Sequence, residues 1–390
     1  MRFNKYNDLW TKTTLNTVVE RITRRNTNNE SNLPLTISAQ YGLINQNEFF
    51  NKQIASRDLT NYILLNRGEF AYNKSYSSDY PWGAVKRLDK YDKGVLSSLY
   101  ICFAPKSNVN SDFLVHYFET PKWYNEISNI AGEGARNHGL LNMAVSDYFN
   151  TKHSFPSIQE QHKISQFLNL INQRIDTQSK IIEDLELFKN MISYKVLYED
   201  KTVCYKPLSS FSELKNGYAF KSNTYSSKGD YQLVTIANVT GNRYIDLTSS
   251  NKILNIPNDI QSHQILKIND ILISLTGNVG RVSYCNKLNC LLNQRVGLLS
   301  IKNKDLIEYI FQCIHNKIFE KTMISRGQGV AQLNIGKYDV ESFEIPVYSQ
   351  DRMNMISEVL KLIDFKIIKE KDILELYKKQ KAYLLKNMFI

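Results

Sequence analysis

Arginine, lysine, asparagine and glutamine are the side chains that meet nucleic acid most directly. The first two neutralise phosphate, arginine also pairs with the O6/N7 edge of guanine, and the amides pair with adenine. In this sequence they gather in short turn-rich segments. The first half holds Tyr72-Asn73-Lys74-Ser75-Tyr76, Lys86-Arg87 and Arg136-Asn137-His138. The second holds Lys221-Ser222-Asn223, Thr276-Gly277-Asn278 with Arg281, Gln294-Arg295, and Arg326-Gly327-Gln328 with Gln332. Taken singly, each is also an ordinary solvated loop. Together they recur at matching places in the two halves while differing in identity, as expected of two surfaces that contact different bases.

Residues for catalysis are harder to assemble. An enzyme that methylates a flipped base carries an Asn/Asp-Pro-Pro-Tyr/Phe tetrapeptide, and none occurs. A Gly-x-x-x-x-Gly-Lys-Ser/Thr phosphate loop is also absent, and Gly277-Asn-Val-Gly280-Arg281 reads as a tight turn. The run Gly132-Glu-Gly134-Ala-Arg136-Asn-His138-Gly139 has the glycines of a phosphate cradle but no strand and helix around it. No histidine has a second one four residues away, and Cys285 and Cys290 are too far apart for a Cys-x-x-Cys zinc half-site. The expectation is therefore no catalytic residue, no metal and no cofactor bound by this chain.

Lys and Arg outnumber Asp and Glu by 49 to 38, and the resulting +11 favours polyanions, although a plain basic surface has the same excess. The opening Met1-Arg2-Phe3-Asn4-Lys5-Tyr6 has no apolar export region, and no apolar run approaches the roughly 20 residues that cross a bilayer. Five scattered cysteines suit a reducing compartment better than a disulfide framework, so the expected location is cytoplasmic, without membrane contact.

What must position the candidate loops is legible as a repeat. A 4-3 apolar register runs through Ile164, Leu168, Ile171, Ile175, Gln178, Ile182, Leu185, Lys189, Ile192 and Val196. Adding 192 gives Ile356, Leu360, Ile363, Ile367, Glu370, Leu374, Tyr377, Lys381, Leu384 and Met388, with the polar interruptions at the same steps. Ser165/Ser357, Leu170/Leu362, Ile181/Ile373 and Glu183/Glu375 match at this offset too, as do Leu141-Asn142 with Leu333-Asn334. Two unrelated helices would not share both register and interruptions, so the chain is a duplication. The organisation is reader 1 (1–155), helix 1 (156–198), reader 2 (199–346) and helix 2 (347–390).

Each reader mixes short β-rich runs, such as Asp270-Ile-Leu-Ile-Ser274 and Arg295-Val-Gly-Leu-Leu299, with a helix near its end. The charges of helix 1 balance, which marks it as a protein-binding element. Burying one Ile or Leu is worth roughly 1.5–3 kcal/mol, so a seam this long needs a partner. The nearest is helix 2. The fold expected is α+β: two mixed α/β readers separated by two long helices pairing as an antiparallel coiled coil, in a pseudo-two-fold repeat with a spacer near 60 Å. Self-association of two chains through the seams is the alternative. Seam residues named for pairing are Ile164, Leu168, Ile171, Ile175, Ile182, Leu185, Ile356, Leu360, Ile363, Ile367, Leu374 and Leu384.

The order of reader, helix, reader, helix, with Phe155-Pro-Ser-Ile-Gln159-Glu-Gln-His-Lys-Ile164 opening the first helix, resembles the specificity (S) subunits of type I restriction-modification enzymes. Gly217-Tyr-Ala-Phe-Lys-Ser222, Asn269-Asp-Ile-Leu272 and Gly277-Asn-Val-Gly-Arg281 are similar to segments of that family's target recognition domains, and Arg2-Phe3 with Trp10 and Leu15 to its usual opening. The second helix departs from the pattern. It has Arg352-Met353 where Glu160-Gln161 stand, and two more residues between Pro346 and Ile356 than between Pro156 and Ile164. The resemblance implies an asymmetric bipartite target in double-stranded DNA, one half read by each reader, with a spacer set by the helices. It also implies partners: two methyltransferase (M) subunits using S-adenosylmethionine, docked on the helices, and two restriction (R) subunits using ATP and magnesium. The alternatives are a nuclease with a divergent active site, a coiled-coil structural protein, and an RNA reader using exposed tyrosines.

Overall fold

The computed structural model describes residues 2–38, 41–51, 55–77, 80–131, 139–200, 202–327 and 333–390. The chain forms two compact units, Met1–Thr177 with Leu374–Ile390, and Gln178–Ile373. Each unit thus takes a reader together with part of both long helices, which run unbroken over Ile158–Tyr198 and Gln350–Met388.

The first unit contains strands β1 (Thr11–Thr14), β2 (Val19–Arg21), β3 (Leu35–Ser38), β4 (Gly42–Asn45), β5 (Ile63–Asn66), β6 (Phe70–Asn73), β7 (Ala84–Arg87), β8 (Lys93–Leu96), β9 (Ile101–Pro105) and β10 (Lys152–Phe155). The second contains β11 (Cys204–Pro207), β12 (Ser212–Asn216), β13 (Tyr231–Val234), β14 (Lys252–Ile253), β15 (Ile265–Leu266), β16 (Ile271–Ser274), β17 (Val282–Tyr284), β18 (Cys290–Leu292), β19 (Val296–Ile301) and β20 (Glu344–Val347). The main sheet has the order β2-β9-β6-β7 in one and β12-β19-β16-β17 in the other, antiparallel throughout. A terminal ribbon, β1-β10 or β11-β20, recurs as well. The duplication therefore extends to strand order, where side-chain identity has drifted. The central pair sets the register, Phe70 facing Phe103 and Ile271 facing Leu299, so the offset is 201 along one strand (271 − 70) and 196 along the other (299 − 103). Loop insertions account for the difference from 192.

Strands buried on both faces need apolar residues throughout, and Phe70, Ala71 and Tyr72 of β6 and Ile271, Leu272 and Ile273 of β16 supply them. Their cores run straight into the helices. In the first unit Ile164, Leu168 and Ile171 of the first long helix and Leu384 and Met388 of the second share one cluster with Phe113, Trp123 and Phe155. In the second, Leu197 joins Met353, Ile356 and Leu360 over Tyr309 and Phe311. An early stretch of one helix against a late stretch of the other means antiparallel pairing. Of the other seam residues, Ile182 and Ile367 are buried and Ile175, Leu185, Ile363 and Leu374 half-buried.

The polar interruptions of the seam are bonded. Gln178 donates through Nε2 to the carbonyl and carboxylate oxygens of Glu370, its own copy in the repeat. Lys381 pairs with Glu119 at 3.0 Å, and its copy Lys189 donates to Nδ1 of His315 at 2.9 Å; Glu119 and His315 each stand at the C-cap of the reader helix, Ser111–Phe118 or Ile307–Ile314. Both lysines thus fasten a long helix to a reader. In the second unit Lys189 also meets Asp364 at 2.6 Å, and Asp364 binds Arg243 at 3.0 Å, whose guanidinium grips Glu308. Arg243, Lys189 and Asp364 are almost fully buried, and two cations facing two carboxylates leave the network neutral.

The helix starts are anchored differently, as their sequences suggested. Arg2 holds Glu160 through two bonds of 2.7 and 2.6 Å, and Gln161 accepts from the Asn110 amide at 2.8 Å. In the second helix Arg352 lies over the Tyr348 ring at 4.0 Å and reaches Asp200 at 3.4 Å, while Met353 is buried.

Removing one partner of a buried ion network leaves the others uncompensated. Asp364→Ala strands Lys189, leaves Arg243 with Glu308 alone, and is expected to cost about 3–5 kcal/mol in urea unfolding, with Asp364→Asn costing less because the hydrogen bonds persist.

A pH dependence also follows. His315 stacks on Phe311 at 4.5 Å, partly open to solvent, and donates from Nε2 to the Gly241 carbonyl. Burial, then the charge of Lys189, pushes its pKa from 6.5 down to about 3. The unfolded histidine takes a proton first, so its contribution to stability is complete above about pH 6.5 and is lost as pH falls toward about 3. His315→Gln is expected to flatten that part of the unfolding profile measured by circular dichroism.

Candidate nucleic-acid interface

In each unit one edge of the main sheet gathers three chain segments around the turn that leads into its second strand. In the second unit Val296 donates to the Asn293 carbonyl at 2.9 Å, closing a four-residue turn with Gln294 and Arg295 exposed at its tip. On one side the chain after β12 runs alongside: Tyr218 donates to Leu292, and Gln294 donates to Tyr218. Gly217 makes that approach possible, since a Cβ there would sit 2.2 Å from the Asn293 oxygen. On the other side Leu275 donates to the Arg295 carbonyl, Thr276 bridges to Asn334, and Gly277, at a φ of +70°, turns the chain toward exposed Asn278.

The first unit repeats the plan with other residues. Tyr100 donates to Ser97 at 3.3 Å, closing the same turn with Ser98 and Leu99 exposed. Beside it runs the extension of β2, where Arg21, Thr23 and Arg25 are exposed and line a crevice with Ser98 and Tyr100. On the far side Leu141 donates to Lys74, Tyr76 donates to Gly139, and Ser75 bridges to Leu140. Asn73 accepts from the Ser75 amide and shapes that bend.

Of the sequence candidates, these edges bring together Asn73, Lys74 and Tyr76 in the first unit, and Thr276, Asn278, Gln294 and Arg295 in the second. Lys221 and Asn223 are exposed just beyond Phe220, whose ring lies 4.9 Å from that of Tyr218. Tyr72 does not join them. It is fully buried, stacked on Tyr148 at 4.8 Å with its hydroxyl on the Trp82 carbonyl, because it occupies an inward position of β6. Four cations are engaged elsewhere. Lys86 is half-buried, with burial lowering its pKa. Arg87 is bound by Asp89, Asp112 and Ser111, Arg281 faces Glu320 at 3.8 Å, and Arg326 donates to the Asp339 carbonyl and Ser342 Oγ. Arg136, Asn137, His138, Gln328 and Gln332 lie outside the described residues.

Sequence reasoning missed Arg21, Thr23 and Arg25, whose signal was an i, i+2 alternation around buried Ile22, and it missed Ser98 and Leu99. The edges offer hydrogen-bond donors, amides and cationic charge suited to phosphate and base contact. Among the described residues no group of three or more His, Cys, Asp or Glu side chains is placed to hold a metal ion, the five cysteines are free thiols, and no helix is long and apolar enough to cross a membrane.

Residues 201–378 match the family described as type I restriction modification DNA specificity domain. Among solved structures, the chain is similar to the S subunit of a type I restriction-modification system from M. genitalium, with a TM-score of 0.59 at 16% identity over 100% of this chain and 97% of that one. A chain from a structure addressing complex assembly and conformational transition of the type I R-M system matches with a TM-score of 0.59 at 14% identity, over 98% of each. These structural likenesses speak for the fold, and the family match covers most of the second unit, whose architecture the first unit repeats. The second unit thus matches the DNA specificity domain of type I restriction-modification systems, and the chain as a whole shares the fold of the solved M. genitalium S subunit.

Proposed function

We propose that each unit reads one half of a bipartite target in double-stranded DNA through the sheet edge described above, and that the two long helices set the spacer between the halves. The observation that carries this reading is the same arrangement of turn and flanking strand end built twice with different side chains: Ser75, Ser98 and Leu99 in one unit, Thr276, Gln294 and Arg295 in the other. Identical scaffolds with different tips suit two unlike half-sites. Helices of 41 and 39 residues without a break suit a stiff spacer of about 60 Å.

The same helices are the proposed docking site for two M subunits, which would bring S-adenosylmethionine, with R subunits bringing ATP and magnesium. Support comes from an apolar flank beside the seam in the second unit. Ile181 and Phe188 are seven residues apart on one helix, Met355, Val359 and Leu362 are four and three apart on the other, and all five are exposed. Counting 100° per residue from the seam puts both sets on the same side of an antiparallel pair. An apolar face of this kind in a charged helix fits a helical partner.

Two experiments test the reading. Co-expression with a type I M subunit, followed by genome-wide mapping of methylated adenine, is expected to give one split motif, and exchange of residues 204–346 for another second reader is expected to change one half alone. A continuous motif, or changes in both halves, contradicts it. Separately, Phe188→Glu with Leu362→Glu is expected to weaken M binding about tenfold or more by analytical ultracentrifugation while the circular dichroism spectrum stays unchanged. Unchanged assembly rules out this flank as the docking site.

A further inference from the structure

The turn at the sheet edge differs between the units in chemical kind. Both copies are closed by a backbone hydrogen bond to the residue three before the donor, from Tyr100, just ahead of β9, to Ser97 and from Val296, the first residue of β19, to Asn293. The 196-residue offset along β9 and β19 places Ser98 where Gln294 stands and Leu99 where Arg295 stands. Leu99 is 59% exposed. It therefore contributes little to the cores beside it, which buried Leu96 and Ile101 on either side of the turn join instead.

Its neighbours restrict what can meet it. Arg21 and Arg25 line a crevice with Ser98, next to Leu99 in the turn, and Lys74 follows β6, the strand that pairs with β9, so groups that attract phosphate lie on the segments flanking the apolar tip. In the major groove the edges of guanine, adenine and cytosine present donors and acceptors, and a leucine pressed on them leaves those groups unpaired. Thymine alone presents an apolar group there, its 5-methyl.

We propose that Leu99 is a specificity-determining residue of the first unit, packing on the 5-methyl group of a thymine in the first half-site. This rests on the reading of the chain as a two-headed DNA reader. It goes further by assigning a base and an atom to one side chain, and by explaining why the first unit spends an exposed leucine where the second unit uses an arginine.

The test uses the complex with M. Methylation maps are compared for the wild type, Leu99→Ala and Leu99→Arg, and duplexes carrying the mapped site are then made with deoxyuridine, which lacks the methyl group, in place of each thymine. The expected result is a split motif in which Leu99→Ala relaxes one thymine position of one half and leaves the other half untouched. At that position deoxyuridine weakens wild-type binding about fourfold and leaves Leu99→Ala binding unchanged. Leu99→Arg should lose the thymine preference at the same position. A split motif that Leu99→Ala does not alter, or wild-type binding indifferent to deoxyuridine throughout that half, overturns the assignment alone. A map with no split motif overturns the underlying reading and the assignment with it.

Discussion

An apolar helix seam cannot stay in water, and in this chain it is covered by readers as well as by the other helix. Ile164, Leu168 and Ile171 lie in one hydrophobic cluster with Phe113 and Phe155, and Ile356 and Leu360 lie in one with Tyr309 and Phe311. At roughly 1.5–3 kcal/mol for each buried side chain, these contacts tie helix and reader into one folding unit. The remaining structure follows from that constraint. Polar residues that interrupt the seam must be satisfied, and Lys189 and Lys381 are each satisfied at a reader helix C-cap, so even the interruptions fix the readers to the rods.

Fixing the reader fixes its central strands, and these carry the turn at the sheet edge. In the second unit the turn is held by main-chain bonds on both sides, to Tyr218 and to Leu275, and in both units the adjoining strand end is bonded to the segment that follows the reader's helices. Its side chains are consequently free to differ without disturbing the fold. That separation of scaffold from contact explains how one architecture serves two readers whose exposed residues have little in common. Other arginines, Arg87, Arg243 and Arg281, are held by carboxylates and serve the scaffold.

The helices were legible in the sequence because a heptad register is a long-range pattern that survives substitution, and the pairing of Gln178 with its copy Glu370 bears out the matched interruptions. Strand order was not legible. Strands of three to six residues buried on both faces carry no alternation, and insertions shift the repeat from 192 to 196 and 201. For the sheet edge, residue type located Lys74, Asn278 and Arg295, but type alone does not separate an exposed tyrosine from a buried one, so Tyr72 was included, nor a free arginine from a paired one, so Arg87 and Arg281 were included. Leu99 escaped notice because a search for hydrogen-bonding side chains passes over an apolar contact.

The central claim, that each reader and its stretches of both long helices form one cooperative unit, is tested most directly by native-state hydrogen exchange followed by mass spectrometry across a denaturant series. The account predicts that amides of 164–175 and 380–388 open together with those of 101–118, and that amides of 182–197 and 353–367 open together with those of 271–284. Exchange in which both long helices open as a single block, independently of either reader, would contradict it.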